Sequence, residues 1–204
     1  SRYVTNFGFG EKTGVELSGE IGGNISALQK SGDIFLATAS FGQGITATPI
    51  QLVAAFGAIA NGGKLMQPYL VERIDYPDGR EENNEPRVVR QVLQQDTAAT
   101  LAAMMVRVVE NGHGKRAGVP GYYIAGKTGT AQVRATTGSG YDPHKTIGSF
   151  AGFAPVENPR FVMLTRIDVP KDVQFAESSA APLFGEVMDF LLKYYDVAPT
   201  RSVE

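Results

Sequence analysis

Apolar residues are thin and irregular over residues 1–47, where "FGFGEKTG", "SGEIGGN" and "SFGQG" predict glycine-rich loops with only short elements between them. The pattern changes at "IQLVAAFGAIA", which is apolar nearly all round and predicts a buried helix over 48–61. Thr48 supplies an N-cap, Pro49 the first helical position and Gln51 the partner of a capping box, while Asn61-Gly62-Gly63 stop the helix. "YLVERIDYPDGREE" followed by "PRVVRQVL" predicts two strands around the turn residues Pro77-Asp78-Gly79. A second helix is predicted from about Asp96 to Glu110, with Leu101, Met105 and Val108 on one face and Asn111-Gly112 as its stop. Three apolar runs, 122–134, 146–154 and 160–168, then read as strands. Turn-rich polar residues join them, so each is expected to lie antiparallel to the next. A last helix, about 179–195, places Leu183, Val187, Phe190, Leu191 and Tyr194 on one stripe, and the tail after Pro199 is expected to fray.

These elements point to the α/β (α+β) class, an antiparallel sheet with helices packed on it. The C-terminal helix is expected on one face, and the helices at 48–61 and 96–110 on the other side or in a helical subdomain. The chain carries no internal repeat and no low-complexity segment.

Composition adds bounds rather than a function. With 204 residues, 43% of them hydrophobic and 20% charged, the chain suits one domain or a large part of a bigger one, with a sizeable core. A net charge of −2 gives no electrostatic reason to expect nucleic acid as a partner. The absence of cysteine rules out disulfides and thiolate metal sites, and does not fix the compartment. No run approaches the roughly 18 apolar residues of a membrane-spanning helix, and no charged-then-apolar leader opens the chain. The opening "SRYVTNFGFG" has no initiator Met, which leads us to expect a fragment.

The stretch "GYYIAGKTGT", residues 121–130, admits two chemistries. Gly121 with Gly126-Lys127-Thr128 satisfies the phosphate-loop pattern. That pattern needs a flexible wrap of backbone N–H groups and a helix beginning at the Lys-Thr. Here the wrap is Tyr122-Tyr123-Ile124-Ala125, which suits a strand, and Thr128-Gly129-Thr130 opens poor helix material. Asp168 at the end of "FVMLTRID" offers no more of a magnesium ligand than any Asp closing a strand. The alternative is an apolar strand running into Lys127-Thr128-Gly129, one of three motifs of the penicillin-binding serine transferases. A strand edge of this kind can aim a Lys into a cleft, turn Thr hydroxyls to a carboxylate and point a backbone N–H at a developing oxyanion. It can also let a substrate backbone lie alongside at the glycine.

The context favours this second reading. "FGFGEKTGVELSGE", "ATASFGQGITATPIQLVAAFGAIANGG", "VPGYYIAGKTGTAQV" and "SFAGFAPVENPRFVMLTRIDVPK" stand in the order found in the class B penicillin-binding proteins, the transpeptidases of bacterial cell-wall synthesis, and almost the whole chain resembles their C-terminal part. "SFGQG" with "TPIQL" resembles the division-type, septal branch. Two of the family's motifs are missing. No Ser has a Lys three positions on, the nearest being Ser26-Ala27-Leu28-Gln29, and there is no Ser-x-Asn. In the family both precede "FGFG", so we expect residues 1–204 to be the C-terminal part of a transpeptidase domain, with the nucleophile elsewhere.

The resemblance implies a penicillin-binding serine transferase fold, incomplete here, and a peptidoglycan D,D-transpeptidase that crosslinks stem peptides ending in D-Ala-D-Ala and is acylated by β-lactams. It implies that Lys127 supplies positive potential to proton transfer. Thr128 and Thr130 would hydrogen-bond the substrate carboxylate, the Thr130 N–H would be an oxyanion donor, and Gly129 would permit close approach. Gly126 is expected to serve packing. No metal or cofactor is implied. The location is the extracytoplasmic face of the bacterial cytoplasmic membrane, with cell-division membrane proteins as partners through the full-length protein. The alternative is a non-catalytic sensor or partner-binding domain of the same fold.

Other polar residues receive plainer readings. His113 and His144 are expected to be surface loop residues without acidic partners. Glu11, Glu16 and Glu20 read as solvated loop charges or turn partners. The loop 136–145 is expected to be mobile beside the cleft; Tyr141 within it, and Lys115-Arg116 upstream of the motif strand, are secondary candidates for the cleft rim.

Overall fold

The computed structural model describes residues 2–135 and 140–202. Its centre is a three-stranded antiparallel sheet in the order β5-β6-β7, formed by β5 (Ala125–Arg134), β6 (Tyr141–Ala154) and β7 (Phe161–Asp168). Thr128 pairs with Phe150, and Phe150 with Thr165. The sequence order of the strands is their spatial order, as expected when short polar links join neighbours.

Helix α5 (Ala180–Tyr194) covers one face. Its Phe184, Met188 and Leu192 are fully buried with Ile124, Phe150 and Ala154. Each such side chain contributes about 2 kcal/mol of burial. The Phe150 and Phe184 rings meet tilted at 4.6 Å between centroids. Helices α3 (Pro49–Ala60) and α4 (Gln95–Asn111) cover the other face. There Ala102 and Met105 of α4, with Phe56 and Ile59 of α3, close on Ala125 and Phe153. Phe150 and Phe153, three apart on β6, serve opposite faces, as strand alternation requires. The sheet is therefore sandwiched, with α3 and α4 on the face away from α5.

The expected capping box is formed: Gln51 N–H donates to Thr48 Oγ1 at 3.3 Å and Thr48 N–H to Gln51 Oε1 at 2.8 Å. The same Gln51 side chain is buried, and its amide donates to the carbonyls of Gly8 (3.2 Å), Glu11 (2.7 Å) and Gly22 (2.7 Å). One side chain thus ends a helix and stitches the glycine-rich first segment to it. That segment holds two helices absent from the sequence reading, α1 (Arg2–Asn6) and α2 (Asp33–Ser40).

Several expectations need correcting. Of α3, only Gln51, Ala55 and Ala58 are buried, and the rest of its body is half-buried, so the helix is less enclosed than its all-round apolar pattern predicts. The turn at Pro77-Asp78-Gly79 does join two strands, β2 (Arg73–Asp75) and β3 (Glu81–Asn83). The "PRVVRQVL" run instead forms β4 (Val88–Gln91), which pairs with β1 (Lys64–Met66) and packs on α3 through Leu65, Val92 and Ala58. On α4 the buried stripe is Ala98, Ala102, Met105 and Val109, leaving Leu101 and Val108 at its margin.

On α5 the inward face is Ala180, Ala181, Phe184, Gly185, Met188 and Leu192, whereas Leu183, Phe190 and Tyr194 are exposed. Close approach decides this. A Cβ on Gly185 would stand 2.9 Å from the Arg116 carbonyl, so the helix presents its small residues, not its bulkiest stripe, to the 3-10 turn Lys115–Ala117. Strand β5 starts at Ala125 rather than residue 122, because Tyr122 and Ile124 turn into the α5 core. Strand β6 starts at Tyr141, so residues 141–145 of the expected loop are strand, and 136–139 lie outside the described residues. The tail is held: Thr200 and Arg201 N–H donate to the Gly121 carbonyl, and Arg201 pairs with Glu110 at 3.0 Å.

Candidate active site

Strand β5 pairs with β6 alone, and its other edge has no partner among the described residues. Such an edge presents a row of backbone N–H and C=O groups to an added chain. Lys127, Thr128, Gly129 and Thr130 stand at mid-strand, opposite Ala151, Phe150, Ser149 and Gly148. Alternation sends Lys127 and Gly129 to one face and Thr128 and Thr130 to the other.

Lys127 Nζ folds over the edge, 2.9 Å from the Thr128 carbonyl oxygen and 3.3 Å from its Oγ1. The Thr128 carbonyl therefore faces the open edge. In an antiparallel ladder a residue's N–H shares the side of its C=O, and residues two apart share a side, so the Thr130 N–H faces that edge too. Gly129 points the other way, its carbonyl accepting from Ser149 Oγ at 3.3 Å. Beside Gly129 only Ser149 Oγ lies where a Cβ would meet it, at 2.7 Å, so that surface of the strand is otherwise open. Lys127-Thr128 is strand, not the first turn of a helix, and the phosphate-loop geometry is not formed.

Thr128 and Thr130 line a groove of about 350 Å³ with Phe175, Glu177 and His113. Thr130 Oγ1 accepts the Ala176 N–H at 3.1 Å. His113 is exposed in a loop, as expected, but it is not partnerless: its Nδ1 lies 2.7 Å from Glu177 Oε2. The two are 64 positions apart, so no local pattern could have joined them. Phe175 and Glu177 were missed for the same reason.

The secondary candidates fall elsewhere. His144 lies on β6, not in a loop, with its N–H donating to Asp142 Oδ1 at 2.9 Å. Tyr141 is exposed on β6 and does not line this groove. Lys115 lines a different groove with Glu110, Tyr123 and Arg201. The three glutamates act as turn and loop partners. Glu11 pairs with Arg90 at 3.0 Å. Glu16 accepts from the Leu70 N–H at 2.9 Å and from Asn84 Nδ2 at 3.2 Å. Glu20 accepts from the Thr13 hydroxyl (2.6 Å) and N–H (2.7 Å) and from the Gly14 N–H (3.1 Å). Those bonds, the Thr13 hydroxyl foremost, hold the Glu20 carboxyl below the usual carboxylate range.

Known proteins share this arrangement of elements. Stage V sporulation protein D of Bacillus subtilis is 38% identical over 204 residues, covering 98% of this chain and 31% of that protein. Peptidoglycan D,D-transpeptidase FtsI of Escherichia coli K12 is 32% identical over 196 residues, covering 96% of this chain and 32% of that protein. The chain thus spans about a third of the length of these relatives. The crystal structure of penicillin binding protein 3 from Mycobacterium tuberculosis, complexed with ampicillin, superposes with a TM-score of 0.90 at 35% identity, covering 98% of this chain and 46% of that one. Residues 1–189 match the family described as the penicillin binding protein transpeptidase domain, and it is to this family that the chain belongs.

Proposed function

We propose that these residues form the C-terminal part of a peptidoglycan D,D-transpeptidase domain, and that the open edge of β5 is its substrate-binding strand. The observation that carries this reading is the placing of Lys127, the Thr128 carbonyl and the Thr130 N–H along one unpaired edge, with the Thr128 and Thr130 side chains on a neighbouring groove. A stem peptide ending in D-Ala-D-Ala lies along this edge as an added strand, its terminal carboxylate met by the Thr128 and Thr130 hydroxyls. A serine supplied by residues outside these 204 attacks the carbonyl of the penultimate D-Ala. The Ser Oγ–C bond forms, the peptide C–N bond breaks, and the departing amine takes the serine's proton, leaving as D-Ala. An amine of a neighbouring stem peptide then displaces the serine and completes the crosslink.

The Thr130 N–H is one donor to the tetrahedral oxyanion, and loss of such a donor costs about 3–4 kcal/mol in the transition state. Lys127 contributes positive potential where the proton moves. A β-lactam acylates the same serine by opening its ring amide, its carboxylate taking the place of the terminal one. The domain works outside the cytoplasm in cell-wall synthesis of the division type, anchored through segments beyond this chain. Among the described residues no helix is long and apolar enough to cross a membrane.

The test is where a labelled penicillin lands. In the full-length protein carrying this chain, the adduct is expected on a Ser followed three residues on by Lys, outside residues 1–204. Residues 1–204 alone should gain no penicilloyl mass, since no Ser here has such a Lys. A penicilloyl increment on these residues contradicts the proposal.

A further inference from the structure

The segment 174–179 is secured beside the motif strand more firmly than a connecting loop requires. Thr146 Oγ1 donates to the Gln174 carbonyl at 2.8 Å, and Ser179 Oγ to the Phe175 carbonyl at 3.1 Å. Ala176 is fully buried, and its N–H reaches across to Thr130 Oγ1. Glu177 is tied to His113 in the loop after α4. Between the Gln174 and Ala176 fastenings the Phe175 ring is left 61% exposed at the groove.

The Ala176–Thr130 bond has a chemical consequence. A threonine hydroxyl owns one hydrogen and two acceptor lone pairs. An amide N–H pointed at the oxygen occupies a lone pair and repels the hydroxyl hydrogen, which turns away. Among the described residues Thr130 Oγ1 donates to no acceptor, so its hydrogen is left for a group in the groove. The backbone amide thereby sets Thr130 as a donor, the polarity that suits an anion. Glu177, on the same turn, is held in place by the His113 ring at 2.7 Å.

We propose that the 3-10 turn Ala176–Ser178 is a positioning element for carboxylate recognition, holding Thr130 as a hydrogen-bond donor, with the His113–Glu177 contact pinning the turn. This rests on the reading of β5 as the carboxylate-binding strand. Ala176 and His113 are positioning residues in this reading. Their effect passes through Thr130.

The test uses the full-length protein carrying this chain and separates binding of a β-lactam from the limiting acylation rate by rapid mixing with labelled penicillin. Ala176→Pro removes the N–H. The backbone there suits proline, because Ala176 opens a 3-10 turn and Phe175 before it is extended, at φ −103° and ψ 147°, although the ring must displace Thr130 Oγ1 slightly. The expected result is a three- to tenfold weaker binding of the free acid, with most of the loss in binding rather than in the limiting rate. The methyl ester of the same β-lactam should bind wild type and variant alike. His113→Ala, at an exposed residue, should weaken binding of the acid two- to threefold with the same indifference to the ester, and it serves if the proline variant does not fold. Equal losses for acid and ester, or no loss for the acid, overturn the proposal. Lys127→Ala, run in parallel, separates the two readings. If it abolishes acylation while the acid–ester contrast is absent, the turn's role fails alone. If it leaves acylation unchanged, the reading of β5 fails, and the turn's role with it.

Discussion

The ring of Phe150 lies against Gly126, so closely that a Cβ on Gly126 would stand 2.4 Å from two of its ring atoms. Phe150 cannot retreat, since it is fully buried against Phe184. It is also the cross-strand partner of Thr128, so the core under α5 fixes the height of the motif strand. Gly126→Ala should therefore cost about 1–3 kcal/mol from overpacking. It should also slow penicillin acylation, because β5 must lift. Urea unfolding of the full-length protein measures the first effect, and an unchanged midpoint would show that the ring yields.

Gln51→Leu is expected to be among the more damaging single changes outside the site. It removes half of the capping box and leaves the carbonyls of Gly8, Glu11 and Gly22 without their donor. Lost caps and unsatisfied buried acceptors together cost about 2–4 kcal/mol. The checking measurement is thermal unfolding beside Leu52→Ala, a half-buried neighbour on the same helix. A smaller effect at Gln51 than at Leu52 would contradict its role as the tie between the first segment and α3.

The Glu20 clasp gives a pH dependence of known sign. Its folded-state pKa is depressed, chiefly by the Thr13 hydroxyl. Its contribution is therefore fully present above the ordinary Glu value and is lost as pH falls through the lower folded value. Protection of the Thr13 and Gly14 amides, taken relative to their intrinsic exchange rates, should hold through neutral and mildly acid pH and fall only below the usual carboxylate range. Glu20→Gln should abolish that acid step. Loss of protection already at pH 6 would place the clasp's titration in another group.

The parts of the fold that were legible in the sequence are those written locally. The Thr48–Gln51 capping box, the turn at Pro77-Asp78-Gly79 and the consecutive order of β5, β6 and β7 each rest on neighbours in the chain. Strands β1 and β4 span three and four residues, too short for a period to show, and they find each other across 20 or more positions. The buried face of α5 does not follow from hydrophobicity alone because bulky apolar residues lie on more than one side of the helix, and the side that docks combines Phe184, Met188 and Leu192 with the small residues Ala180, Ala181 and Gly185. The tail is anchored instead of frayed because it reaches the backbone carbonyl of Gly121, which no side-chain pattern announces. At the site, Lys127 through Thr130 were legible as a contiguous motif. Their surroundings were not, since His113, Phe175 and Glu177 come from two other loops.

The most direct measurement is the second-order rate of acylation by penicillin in the full-length protein, wild type against Lys127→Ala. Lys127 stands exposed at the open edge of β5, so its loss should leave the fold intact. The expected result is a fall of at least tenfold, about 1.4 kcal/mol in the barrier, with an unchanged unfolding midpoint. An acylation rate equal to wild type would contradict the account, because the edge of β5 would then have no part in the reaction.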